Sequence, residues 1–257
     1  MIKAAFFDID GTLLSFTSHR VSEGTIRAFK TLHEHGVRTF ISSGRPMVLI
    51  PQMPVEFEGY ITMNGGLVFT AGNERQVLLS NPIPHKDSNR WLDFAKEHNI
   101  CTMVFTADSM MAAQIDPIGL KIREQLEFQM PPVVDIDEMR NHEAYQLIAI
   151  MPQTMDEEVG TLLPHCRLPR WHPAFTDIVA ADNSKAAGME AICYHFGINQ
   201  EDTLAFGDGG NDIEMLQWAG IGVAMGNAAD EVKAAADMVT TDVDNEGIEH
   251  AVNKLFA

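Results

Sequence analysis

The chain is short of basic residues, of cysteine and of long apolar runs, and each shortage removes a class of function. Among 257 residues, 18 Lys and Arg stand against 36 Asp and Glu, a formal net charge of −18. Proteins that hold nucleic acid rely on clustered Lys and Arg to displace counterions from phosphates, so this balance argues against a nucleic-acid partner. Three cysteines, Cys101, Cys166 and Cys193, are odd in number, far apart and in no Cys-x-x-Cys pair. They read as reduced, buried thiols of a cytoplasmic protein. The first apolar stretch is broken by Asp8, too early for a signal peptide, and no run approaches the ~20 apolar residues of a membrane helix. The ten histidines contain no His-Glu-x-x-His, so no zinc site is expected. No stretch calls for an obligate protein partner.

What the chain has is a succession of short apolar runs that end in polar turns. At 46% hydrophobic residues it can bury a large core, and its length predicts two domains. Ala4–Phe7 reads as a strand buried on both faces that stops at Asp8-Ile9-Asp10-Gly11-Thr12. In parallel sheets ligands bind beyond the carboxyl ends of strands, which is where Asp8 and Asp10 fall, although an isolated Asp-x-Asp is more often a solvated turn. Ile26, Phe29 and Leu32 follow helical spacing between a capping Ser22 and Gly36, and Val37–Ile41 is the next strand. It ends at Ser42-Ser43-Gly44-Arg45-Pro46. Ser43 and the Gly44 amide suit an anion there, an ordinary capping serine fits as well, and Pro46 suits the first turn of another helix. Tyr60–Thr62 leads to Asn64-Gly65-Gly66, and Leu67–Phe69 with Val77–Leu79 flank a turn in the manner of a hairpin.

Two prolines in Asn81-Pro82-Ile83-Pro84 mark a boundary. We place a core domain at 1–82 and 184–257 and an inserted α/β domain at 83–183. Inside the insert the patterning predicts helices over Ser88–His98 and Ile118–Phe128 and strands over Thr102–Phe105, Met110–Ala113, Tyr145–Ile150 and Thr176–Val179. Arg170, Trp171 and His172 suit contact with a polar substrate, and equally a stacked surface cluster. After Asn183 the alternation resumes with a helix from Ser184 to Phe196. Lys185 lies in its first turn, where a cation opposes the helix dipole by ~0.3–1 kcal/mol, so its place suits an anion better than the helix. Thr203–Phe206 then runs into Gly207-Asp208-Gly209-Gly210-Asn211-Asp212. This is not a dinucleotide fingerprint, because Asp212 replaces the third glycine and Asp208 would meet a pyrophosphate with like charge. Asp242-Val243-Asp244-Asn245-Glu246-Gly247 opens like a calcium loop, but its twelfth position is Asn253, so it reads as the cap of the last helix.

Taken in order, Asp8-Ile9-Asp10-Gly11-Thr12, Ser43-Gly44-Arg45, Lys185 and Gly207-Asp208-Gly209-Gly210-Asn211-Asp212 resemble the four motifs of the haloacid dehalogenase superfamily of phosphatases. The insert between the second and third motifs, preceded by Asn64-Gly65-Gly66, is similar to the type IIB cap of the Cof-type subfamily. One departure is that Ala186 and Ala187 stand before Gly188, where that subfamily often has glycine directly after the lysine. The resemblance implies an α/β fold, a doubly wound parallel-sheet core with an inserted α/β cap. It also implies a magnesium-dependent phosphatase for small phosphate esters, sugar phosphates above all.

On that resemblance Asp8 is the nucleophile that forms an aspartyl phosphate, and Asp10 protonates the leaving group and then activates water. Asp8, Asp208 and Asp212 converging on an anionic substrate repel one another, at ~4 kcal/mol for one pair ~4 Å apart in an effective dielectric of ~20. A cation is required, and Mg2+ prefers such oxygen ligands. The implied ligands are Asp8, Asp208 and the backbone carbonyl of Asp10. Ser43, Gly44, Lys185 and Asn211 would hold phosphoryl oxygens, Asp212 would orient Lys185 or a metal-bound water, and Asn64 would lie near the substrate. A phosphotransferase or mutase would use the same residues, as would a non-enzymatic phospho-acceptor. Asp10 counts against the last, because a built-in acid and base promotes turnover.

Overall fold

Strand β1, Ala4–Phe7, is fully buried at all four residues, and the rest of the first unit is layered around it. A computed structural model describes residues 1–126, 131–170 and 172–256, the side chains of 122–126 excepted. In chain order β1 is followed by α1 (Glu23–Glu34), β2 (Arg38–Ser42), β3 (Gly59–Thr62), β4 (Leu67–Thr70) and β5 (Val77–Ser80). The middle of the chain gives α2 (His85–His98), β6 (Thr102–Phe105), β7 (Met110–Ala113), α3 (Pro117–Leu126), β8 (Gln146–Ala149), α4 (Asp156–Leu162), β9 (Cys166–Arg167) and β10 (Thr176–Ala180). The last part gives α5 (Lys185–Phe196), β11 (Thr203–Gly207), α6 (Ile213–Trp218), β12 (Ile221–Ala224), α7 (Asp230–Ala235), β13 (Met238–Val239) and α8 (Gly247–Leu255).

The chain divides into two units, one of Met1–Arg45, Pro51–Ser80 and Ser184–Ala257, the other of Pro46–Ile50 and Asn81–Asn183. The first holds an eight-stranded sheet in the order β13-β12-β11-β1-β2-β3-β4-β5. From β13 to β3 the pairings are parallel, and β4 and β5 add an antiparallel edge. The chain winds away from β1 in both directions, and beside such a reversal the carboxyl ends of the strands leave a crevice for ligand.

Both faces of this sheet are covered at its centre, which is why the central strands β1 and β11 are mainly apolar rather than alternating. On one face Phe6, Phe40, Ile61 and Ala205 pack with Met189 and Ile192 of α5 and Met215 and Leu216 of α6. On the other, Phe7 stacks on Phe206 with ring centroids 5.0 Å apart and meets Phe29 of α1 at 4.7 Å. Burying each such ring stabilises by roughly 1.5–3 kcal/mol relative to exposure. The second unit holds a five-stranded antiparallel sheet, β7-β6-β8-β10-β9. Trp91 and Leu92 of α2 and Val159 of α4 pack with Val104, Leu147 and Ile178 of this sheet.

One local expectation is corrected. The helix expected from Pro46 is a single 3-10 turn, Met47–Leu49, with Pro46 itself extended. Pro51 explains the short turn, since a residue before proline is pushed into extended backbone and Ile50 takes that conformation. The stretch from Asp242 to Gly247 does lead into the last helix as its cap, with Glu246 in the N-cap position and Asp242 bracing the turn. The Asp242 carboxylate accepts from the Asn245 side chain, and its carbonyl accepts from the Asn245 and Gly247 amides. Left-handed Glu246 turns its carboxylate to the Ser22 hydroxyl at the start of α1. The predicted helix reaching Phe128 is seen as far as Leu126, and its last two residues lie outside the described residues. All three cysteines are free thiols, with Cys101 and Cys193 buried and Cys166 half-buried. Among the described residues no helix is long and apolar enough to cross a membrane.

Candidate active site

The loops that leave β1, β2, β3, β11 and β12 all emerge at the carboxyl edge of the first sheet, and the sequence-predicted residues of the first unit sit on them, except Lys185, which opens α5. The Asp8 amide donates to the Phe206 carbonyl at 3.0 Å, extending the sheet by one residue and fixing Asp8 at its rim. Gly11 has φ +80°, and a Cβ there would lie 2.2 Å from Asp208 Oδ2, so only glycine lets these two loops come this close.

Lys185 joins the carboxylates into one buried cluster. Ser184 caps α5 by accepting from the Ala187 amide at 3.1 Å, which makes Lys185 the first helical residue. From there its ammonium donates to Asp8 Oδ1 at 2.6 Å and to Asp212 Oδ1 at 2.5 Å. Asp212 Oδ2 accepts from the amides of Asp208 and Gly209 at 3.0 and 2.9 Å. Among the described residues Asp208 has only neutral donors, Thr12 Oγ1 on Oδ1 at 3.2 Å and Asn227 Nδ2 on Oδ2 at 3.0 Å. Burial raises the Asp8 carboxyl well above the ordinary range, with Lys185 pulling it down and Asp212 pushing it up. Burial, then the Asp212 charge, push the Asp208 carboxyl up to about 7. Burial works against the Lys185 ammonium, yet Asp212 and Asp8 hold its pKa well above that of a free lysine.

One ammonium therefore faces three carboxylates. Asp8, Asp208 and Asp212 offer oxygens that all lie within 4.8 Å of one another. Asp212 already takes the Lys185 ammonium on one oxygen and two backbone amides on the other, whereas each Asp208 oxygen takes a single neutral donor, so Asp8 and Asp208 keep more capacity for a cation. An all-oxygen donor set with unbalanced negative charge fits a hard divalent ion.

A second group forms beside the end of β2. The Ser43 hydroxyl accepts from the Arg45 amide at 3.1 Å, and the Ser43 carbonyl accepts from the Asn64 amide at 3.1 Å. Asn64 is buried in a left-handed conformation, and its Oδ1 accepts from Asn211 Nδ2 at 2.9 Å. A Cβ on Gly44 would lie 3.1 Å from Asn64 Nδ2, so Ser43, Gly44, Asn64 and Asn211 are brought together. Asp10 stands apart from the carboxylate cluster, gripped by Arg45 through two contacts of 2.7 Å.

In the second unit Arg170 is committed to its own surroundings. Its Nε and Nη2 hold Asp156 at 2.8 and 2.6 Å, and further N–H groups reach the carbonyls of His172, Pro173 and Met151. The His172 ring stacks on Phe175 with centroids 4.8 Å apart, and Trp171 lies outside the described residues. Sequence reasoning missed Asn227 and the Arg45–Asp10 pair. Asn227 follows β12 in a polar turn, so the strand-end rule that found the other residues reaches it too.

A family model for haloacid dehalogenase-like hydrolases matches residues 5–252. YkrA of Bacillus subtilis (strain 168), a protein named as a candidate phosphatase, is 35% identical over 256 residues, which cover 98% of this chain and 97% of that one. The solved structure of the haloacid dehalogenase subclass IIB sugar phosphatase BT4131 matches with a TM-score of 0.89 and 38% identity over 98% of each chain. That of BT1666 from Bacteroides thetaiotaomicron, studied among phosphatases of the same superfamily, matches at 0.91 with 36% identity, covering 100% of this chain and 95% of that one.

Proposed function

Because the chain belongs to the haloacid dehalogenase-like hydrolases and is a phosphatase of their Cof type, we propose that it hydrolyses small phosphorylated metabolites, sugar phosphates foremost, through a phosphoenzyme on Asp8. The observation that carries this reading is the Asp8 carboxylate, buried at the rim of the central strand with Lys185 on one oxygen at 2.6 Å. The name of BT4131 as a sugar phosphatase supports the substrate class.

In the first step an Asp8 oxygen attacks phosphorus, the ester P–O bond breaks, and the departing alkoxide takes a proton from Asp10. In the second, water gives a proton to Asp10 and its oxygen attacks phosphorus. The bond to Asp8 breaks and inorganic phosphate leaves. An acyl phosphate is a mixed anhydride and hydrolyses readily. Ser43, the Gly44 amide, Lys185 and Asn211 hold the phosphoryl oxygens, Asn64 steadies Asn211, and Asp212 aims Lys185. Asp10 must leave Arg45 to reach either proton. Mg2+, held by Asp8, Asp208 and the Asp10 carbonyl, supplies charge neutralisation when bound. We place discrimination among substrates in the insert, residues 83–183.

The variant Asp10→Asn tests the scheme. An aryl phosphate, whose phenolate departs unaided, is expected to give a burst of phenol approaching one equivalent per active site and then slow turnover. An alkyl phosphate, which needs the acid, is expected to lose the whole contribution of general catalysis, ~10²–10⁴ in rate. Equal losses for both substrates with no burst would remove Asp10 from the acid–base role. Full turnover by Asp8→Asn would remove the nucleophile. Release of phosphate in step with alcohol separates hydrolysis from transfer to another acceptor.

A further inference from the structure

Three loops at the carboxyl edge of the first sheet meet on one side chain. Asn227 lies three residues beyond β12. Its Nδ2 donates to the Gly11 carbonyl at 2.9 Å and to Asp208 Oδ2 at 3.0 Å, while its Oδ1 accepts from the Val243 amide at 3.0 Å. These partners fix the amide one way round, since turning it over would set oxygen against two acceptors and N–H against a donor. The backbone aims it. The Met225 amide donates to the Gly207 carbonyl and the Gly226 amide to the Thr241 carbonyl, each at 3.0 Å, and a Cβ on Gly226 would lie 2.5 Å from the Asp242 nitrogen. The Asn227 side chain is itself exposed, so its contacts add little to the core.

What those contacts control is Asp208. Asn227 donates to one oxygen and Thr12 to the other, so the carboxylate plane is fixed from both sides by neutral donors. Asp212, by contrast, has its charge met by Lys185. The Gly11 carbonyl ties the same amide to the loop that presents the Asp10 carbonyl. Outer partners of this kind orient ligand groups and tune their affinity. We infer that Asn227 is a positioning residue that presets Asp208 and the Asp10–Gly11 loop for a divalent cation. The inference rests on the proposed role of Asp208 as a cation ligand.

The test is calorimetric titration of the full-length, metal-free protein with Mg2+ in four forms: unaltered, Asn227→Ala, Val243→Pro and Asp208→Asn. Val243 opens a single 3-10 turn and Asp242 before it is extended, so proline fits there and removes only the N–H that anchors Asn227. Asn227→Ala is expected to weaken Mg2+ binding about 10–100-fold, the usual effect of losing an outer partner, with the melting temperature of the metal-free protein unchanged. Val243→Pro is expected to weaken it in the same direction but less. Unaltered affinity in Asn227→Ala, with binding lost in Asp208→Asn, overturns the positioning role and leaves Asp208 a ligand. Unaltered affinity in Asp208→Asn overturns the ligand assignment itself. Should Asn227→Ala also melt early, Val243→Pro decides: earlier melting with unchanged affinity makes the contact structural only and overturns the inference.

Discussion

Asp208 and Lys185 set the electrostatic terms of the site, and they do so in opposite ways. Lys185 is fully buried yet keeps its proton, because two carboxylates lie within hydrogen-bond reach. Asp208 has no such partner, and its carboxyl rises from an ordinary 3.8 to about 7, chiefly through burial. A carboxyl raised in the folded state favours the protonated fold. Its stabilising contribution is complete below about 3.8 and is lost as pH climbs through about 7. Asp8, raised by burial as well, acts in the same sense. The metal-free protein is therefore expected to be less stable at pH 8 than at pH 6. Cation binding should show the reverse trend, since a ligand carboxylate must first lose its proton, and affinity should fall as pH drops below about 7. Denaturant melts at the two pH values, with titrations in buffers of different ionisation enthalpy, read both effects. Equal affinity at pH 6 and 8 with no proton release would contradict the unbalanced charge on Asp208.

At the scale of elements, the site depends on where α5 begins. Gly65, in the turn after β3, has φ +94°, and a Cβ there would lie 2.1 Å from the Ser184 carbonyl oxygen. The turn thus touches the backbone that starts the helix of Lys185. Gly72 is its natural control, with φ +99° but nothing within 4 Å of a Cβ. Each Gly→Ala change is expected to cost about 1–3 kcal/mol from the left-handed backbone alone. Gly65→Ala should in addition shift α5 and depress kcat/KM, whereas Gly72→Ala should leave kcat/KM unchanged. Urea midpoints and steady-state rates on the two variants check this, and equal kcat/KM in both would mean the helix start does not position Lys185. Elements of this kind were legible in the sequence. Ala4–Phe7 is apolar at every position and Thr203–Phe206 at all but its first because both faces of the sheet are covered, and Asp8, Ser43 and Asp208 follow from the strand-end rule. Contacts between loops were not legible. Asn227 with Gly11, Arg45 with Asp10 and Ser22 with Glu246 join positions far apart in the chain, and no local period encodes such pairs. The short turn after Pro46 is readable from Pro51, which holds Ile50 extended and so ends any helix that Pro46 starts.

The core of the insert and the core on the α5 face of the first sheet have no residue in common. Leu78 and Leu79 at the end of the first segment and Met189 and Ile192 of α5 pack into the same core, so the chain enters and leaves the insert from elements of one unit. Every residue assigned to the chemistry belongs to that unit, and the insert contributes neither a strand to its sheet nor a member to its core. Replacing 81–183 by a short Gly/Ser linker closes a far smaller loop, and closure entropy changes only slowly with loop length. The shortened chain is therefore expected to fold and to bind Mg2+ like the full-length protein. It should still hydrolyse a small aryl phosphate. Discrimination should go. Ratios of kcat/KM across a panel of sugar phosphates, measured for both chains, are expected to flatten towards unity once the insert is removed. Ratios that survive the excision would move the specificity determinants into the core, with Asn64 and its neighbours the first residues to test.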